Sequence, residues 1–128
     1  MAVKIVRLGT ARSAGEGLRI GTVRRPPRGV PKAEFASKDW YDVWYPNLAP
    51  SLETIKLGQS FESDKDWASF SKKYCAEMKQ PDASHSLDLL AALSHQTHFA
   101  VGCYCENEVR CHRSLLRDLL RDRGALLM

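Results

Sequence analysis

The clearest periodic signal in the chain is the run of Trp67, Phe70, Tyr74 and Met78, spaced by three, four and four residues. That spacing is one face of a 3.6-residue repeat and predicts a helix from about Asp64 to Lys79, capped by Ser63. Pro81 closes this region. Leu87, Leu90 and Leu93 predict a second amphipathic helix over Ser86 to Leu93. Leu115, Leu116, Leu119 and Leu120 predict a last one running to about Arg123, with Gly124 as its stop.

Strands read differently. Val3 to Leu8 is apolar at Val3, Ile5, Val6 and Leu8 and ends at Gly9. Leu18 to Val23 follows a turn marked by Gly15 and Gly17. Phe99 to Tyr104 is apolar almost without interruption, the mark of an inner strand buried on both faces. Between the second strand and the first helix lies Arg24-Arg25-Pro26-Pro27-Arg28-Gly29-Val30-Pro31-Lys32, whose prolines and glycine forbid regular structure and predict a stiff basic loop. Asn47 to Ser51 is a loop, with Ser51 capping a short turn from Leu52-Glu53-Thr54. Phe35, Trp40, Tyr41, Trp44 and Tyr45 read either as rings capping the core beneath the basic loop or as pocket lining.

The order β-β-loop-α-α-β-α predicts an α/β fold: a small single domain over 1–128 with a central, mostly parallel sheet and flanking helices. At 128 residues, 44% hydrophobic and 27% charged, the chain sits near the globular average, which excludes disordered and fibrous classes. No apolar run approaches the roughly 18 residues of a membrane span. MAVKIVRLGT carries charges within its apolar run and reads as no secretory signal, so the expected location is cytoplasmic.

The net charge of +4 is unevenly spread. Residues 1–32 hold eight basic side chains against Glu16 alone, leaving 11 basic against 14 acidic in the rest. That concentration points to a local anion site or a basic face.

Three of the four cysteines fall within nine residues, in Cys103-Tyr104-Cys105-Glu106-Asn107-Glu108-Val109-Arg110-Cys111-His112-Arg113. The segment runs from the carboxyl end of a buried strand into the first turn of a helix, where ligands of open α/β sheets gather. Helix-terminal N–H groups and neighbouring cations there stabilise a thiolate. Three readings stay open. In the first, Cys105 or Cys111 is a catalytic thiolate, His112 an acid–base group, and Arg110 and Arg113 hold an anionic substrate. In the second, Cys103, Cys105, Cys111 and His112 ligate zinc, although adjacent Cys111 and His112 strain a single tetrahedral site and no CxxC knuckle appears. In the third, the cysteines pack in the core. A phosphatase-type loop does not fit, because C-x(4)-R is one residue short and the loop lacks glycine. His85, His95 and His98 read as surface histidines, and Cys75 as an inert thiol beside the helix stripe. No nucleotide-binding glycine motif occurs, and the cofactor is left unknown.

Val6-Arg7-Leu8-Gly9-Thr10, Gly17-Leu18-Arg19-Ile20, the Arg25 to Lys32 loop, Trp44 with Leu48-Ala49-Pro50-Ser51, the Trp67, Phe70, Tyr74 and Glu77 helix, and Cys105-Glu106-x(4)-Cys111-His112-Arg113 together resemble domain-of-unknown-function family 488, in its YeaO-like branch. The resemblance covers most of the chain. It implies a compact α/β fold and one site shared by the basic loop and the cysteine segment, with Arg25, Arg28, Lys32, Glu106, Arg110 and Arg113 on the ligand. It implies no particular reaction. The family's Asp-Arg-Leu-Trp-Pro-Arg-Gly is Arg24-Arg25-Pro26-Pro27-Arg28-Gly29 here, without the acidic residue or the tryptophan.

The expected function is therefore binding of a small anionic or nucleotide-like ligand, with a cysteine-dependent reaction as the candidate chemistry. The alternatives are a nucleic-acid-binding module built on the basic loop and the aromatic run, which has no recognised motif, and a structural zinc domain.

Overall fold

A computed structural model describes residues 2–58, 64–104 and 111–128. Its centre is a four-stranded, all-parallel sheet of β1 (Val3–Arg7), β2 (Leu18–Gly21), β3 (Val43–Trp44) and β4 (Phe99–Cys103) in the order β1-β4-β2-β3. Strand β4 pairs along its whole length with β1, from Val3 opposite Phe99 to Arg7 opposite Cys103, and on its other side with β2. All five of its residues are buried, the physical reason for its uninterrupted apolar run. Gly102 has no alternative there: a Cβ would collide with the Val6 carbonyl oxygen of the neighbouring strand.

Helices α1 (Leu52–Gly58), α2 (Asp64–Glu77), α3 (Pro81–Leu93) and α4 (His112–Asp122) complete the domain. Phe70, Tyr74, Leu87, Leu90, Leu116 and Leu120 from α2 to α4 form one core with Val3, Ile20, Phe99 and Val101 of the sheet. On the other side, Val6, Leu8, Val23, Tyr41, Ala100, Cys103 and Cys111 form a second cluster, covered by Phe35, Trp40 and Tyr104. One face of the sheet is thus closed by helices and the other by an aromatic loop. The capping reading of Phe35, Trp40 and Tyr41 describes that loop, whereas Tyr45 packs against the helical core and Trp44 is exposed.

Helix α3 starts five residues earlier than its leucine pattern indicates. Pro81 opens it rather than ending what precedes, because a fixed φ suits the first helical position. Helix α4 begins at His112, and Ser63 lies outside the described residues. No helix among the described residues is long and apolar enough to cross a membrane.

Much of the N-terminal charge surplus is consumed by the fold. Arg19 is fully buried and makes a two-pronged ion pair with Glu16 at 2.9 and 3.0 Å. Arg12 grips Asp42 at 2.8 and 3.0 Å and reaches Asp39 at 3.3 Å.

Candidate functional site

The carboxyl ends of β2 and β4 open into a cavity of about 570 Å³. Val23, Pro50, Leu52 and Ile55 supply its apolar wall; Arg24, Arg25, Arg28, Lys56, Cys103, Tyr104 and His112 supply its polar groups. Strand β2 delivers Val23 and the basic loop, β4 delivers Cys103 and Tyr104, α1 delivers Leu52 to Lys56, and α4 enters with His112. This is where the parallel-sheet architecture gathers ligands. No carboxylate lines the cavity among the described residues.

Its rim is braced from behind. Arg24 donates to the Pro50, Pro46 and Ala49 carbonyls at 3.0, 3.2 and 3.1 Å, a structural use of a cation. Tyr104 donates its hydroxyl to the Arg25 carbonyl at 3.0 Å and so pins the basic loop to the end of β4. Burial holds the Tyr104 hydroxyl well above the usual phenol range, so it remains a donor. Trp44 donates from Nε1 to the Val23 carbonyl at 2.7 Å. Glu77 accepts from Ser51 N, Ser51 Oγ and Thr54 Oγ1 at 2.9, 2.5 and 2.7 Å, which fixes the start of α1 and with it Lys56. Arg25 and Arg28, by contrast, are exposed and make no side-chain hydrogen bond among the described residues; their guanidinium groups are available to a ligand.

The floor holds sulfur and imidazole. Cys103 ends β4 and Cys111 caps α4, and their Sγ atoms lie 2.7 Å apart, both buried, with no disulfide between them. His112 is buried against the Tyr74 ring. Its Nε2 lies 2.8 Å from the Thr22 carbonyl and 3.3 Å from Thr22 Oγ1. A carbonyl only accepts, so Nε2 carries a proton, and Nδ1 is the ring nitrogen turned toward the sulfurs. Nδ1 lies 3.9 Å from Cys111 Sγ.

Of the residues expected at the site, Arg25, Arg28 and His112 line the cavity. Cys111 sits one layer behind, against Cys103. Arg113 is buried and outside the lining. Lys32 lines a separate hollow with Phe35, Tyr41, Asp42 and Trp44. Cys105, Glu106 and Arg110 lie outside the described residues. Cys103, named at the sequence level only as a zinc ligand, and Lys56 and Tyr104, not singled out there, are also in the lining. Cys103 could have been found as the last residue of an inner strand, but nothing in the pattern around Lys56 marks it. Cys75 is half-buried on α2, and burial raises its thiol pKa, which suits an inert residue. His85, His95 and His98 are exposed, with His95 donating to the Gly124 carbonyl at 2.7 Å.

Among known protein families, the model of DUF488-N3a, described as the active DUF488-N3 subclade, matches residues 3–124. No curated protein and no solved structure matches the chain.

Proposed function

The chain belongs to the DUF488-N3a family, and on that footing we propose that it binds a small anionic, nucleotide-like ligand in the cavity between the basic loop and the start of α4. One observation carries this reading: Arg25, Arg28 and Lys56 converge on a single cavity whose described lining contains no carboxylate. The anionic group sits on the two guanidiniums, whose planar donors suit a phosphate or carboxylate. The rest of the ligand lies along Val23, Leu52, Ile55 and Tyr104. The family's description as an active subclade favours a reaction, and the groups that face the ligand from the floor are Cys103 and His112, with Cys111 behind them. We place the protein in the cytoplasm, where cysteines serve thiol or metal chemistry rather than disulfides.

A nucleic-acid interface is less well supported. It needs several exposed rings to stack bases; Trp44 is exposed, but Tyr41 is buried and Trp40 packs edge-on against Tyr104. Fluorescence or calorimetric titration with inorganic pyrophosphate, adenosine diphosphate and a single-stranded RNA of about 12 nucleotides separates the two. The expected result is saturable 1:1 binding of the small anions with a shallow salt dependence. Tight RNA binding that falls steeply with salt, without small-anion binding, overturns the proposal.

A further inference from the structure

Cys103, Cys111 and His112 form a trio whose Sγ, Sγ and Nδ1 atoms all lie within 4.8 Å of one another, a grouping of metal-ligand type that no other described residues make. We propose that these three side chains bind one zinc(II) ion whose fourth coordination position opens into the cavity. The inference stands on the three side chains and does not depend on which ligand the cavity takes.

Four observations carry it. The donor types, two thiolates and an imidazole, are those of a borderline-soft cation, and three protein ligands with one open position is the arrangement of reactive zinc sites. The imidazole is prepared for the role: its Nε2–H is committed to the Thr22 carbonyl, as a metal-bound histidine's second nitrogen usually is, leaving Nδ1 directed at the sulfurs. The objection that adjacent Cys111 and His112 strain one site is met by the backbone. Cys111 is extended at φ −129° and ψ 151°, His112 is the first helical residue, and across this break Cys111 Sγ and His112 Nδ1 lie 3.9 Å apart. Finally, the trio is buried, yet Cys103 and His112 line the cavity, so an ion reaches it and keeps a face toward the ligand.

Zinc–sulfur bonds of about 2.3 Å in a tetrahedron set the sulfurs about 3.8 Å apart. Binding therefore separates the Sγ atoms by about 1 Å from their 2.7 Å contact. Each thiol loses its proton to solvent, and two thiolates neutralise the ion's charge beneath the cationic rim.

The test is a cobalt(II) titration of the full chain in reducing buffer, with zinc as competitor. The expected result is one equivalent bound, intense visible bands of a tetrahedral ion, and a near-ultraviolet sulfur-to-cobalt band that zinc abolishes. Cys103→Ser should cut the sulfur band to about half. His112→Asn should keep it while weakening affinity by more than the roughly 10- to 100-fold typical of losing an outer-shell partner. Because Cys103→Ser alters a packed core, the unaltered chain is also alkylated with and without zinc and mapped by mass. Zinc should protect Cys103 and Cys111 and leave Cys75 unchanged. Absence of a sulfur band, full sulfur intensity in folded Cys103→Ser, or a metal-free Cys103–Cys111 disulfide in the reduced preparation overturns the proposal. Arg25→Ala/Arg28→Ala should bind cobalt like the parent chain even if small-anion binding fails, so the two readings fall separately.

Discussion

Arg19→Ala is expected to lower the unfolding free energy by about 3–5 kcal/mol, the cost of stranding a buried charge by removing its partner. The guanidinium is fully buried and spends its donors on both Glu16 oxygens and on the Thr10 and Asp39 carbonyls at 2.8 and 2.7 Å. Its backbone N–H goes to Asp42, the carboxylate that also holds Arg12. Removing the side chain leaves a buried carboxylate and two carbonyls unmatched. Arg12→Ala, at a partly exposed pair, should cost nearer 1 kcal/mol. Acid sharpens the test. Burial alone would raise the Glu16 pKa, but the hydrogen bonds and charge of Arg19 outweigh it and hold the carboxyl below its ordinary 4.5. A depressed carboxyl contributes stability above that value and loses it as the pH falls toward the folded-state pKa. Urea midpoints of the parent chain and Arg19→Ala should therefore converge below about pH 4.5. A cost under about 1 kcal/mol at pH 7 would contradict this role for the pair.

Arg25→Ala/Arg28→Ala is expected to weaken pyrophosphate binding by about 100-fold or more while leaving the fold intact. A hydrogen bond to a charged group contributes about 1.5–3 kcal/mol, and 1.4 kcal/mol is a factor of ten, so each arginine accounts for about tenfold at the low end. Both side chains are exposed and neither makes a side-chain hydrogen bond among the described residues, so the urea midpoint should move by the equivalent of about 0.5 kcal/mol or less. Arg24→Ala should behave oppositely, loosening the loop whose carbonyls it braces. Calorimetric titration beside urea unfolding checks both variants. Unchanged affinity in the double variant would remove the basic loop from the site.

Where neighbouring residues set the structure, the sequence was legible. The α2 stripe delivers Phe70 and Tyr74 to the core, and the apolar run of β4 reflects a strand between β1 and β2. The resemblance carried by the basic loop and the Cys-His-Arg segment agrees with the family match over residues 3–124. What was not legible depends on contacts distant in the chain. Arg19 reads as a surface cation until Glu16 and two remote carbonyls enclose it. The two-residue strand β3 exists only because β2 offers an edge. Lys56 reaches the cavity because Glu77, from another helix, fixes the start of α1. The Cys103–Cys111 contact joins the end of β4 to the start of α4, while Cys105 lies outside the described residues.

On the proposed function, a small anion binds in one cavity, at the carboxyl ends of β2 and β4. Nitrogen–proton correlation spectra of the labelled protein, titrated with pyrophosphate, test it most directly. Saturable shifts are expected at Val23 to Arg28, Lys56, Tyr104 and His112, with the Arg25 and Arg28 side-chain signals among them. Shifts centred on the hollow around Lys32 and Trp44, or no saturable shifts at all, would contradict it.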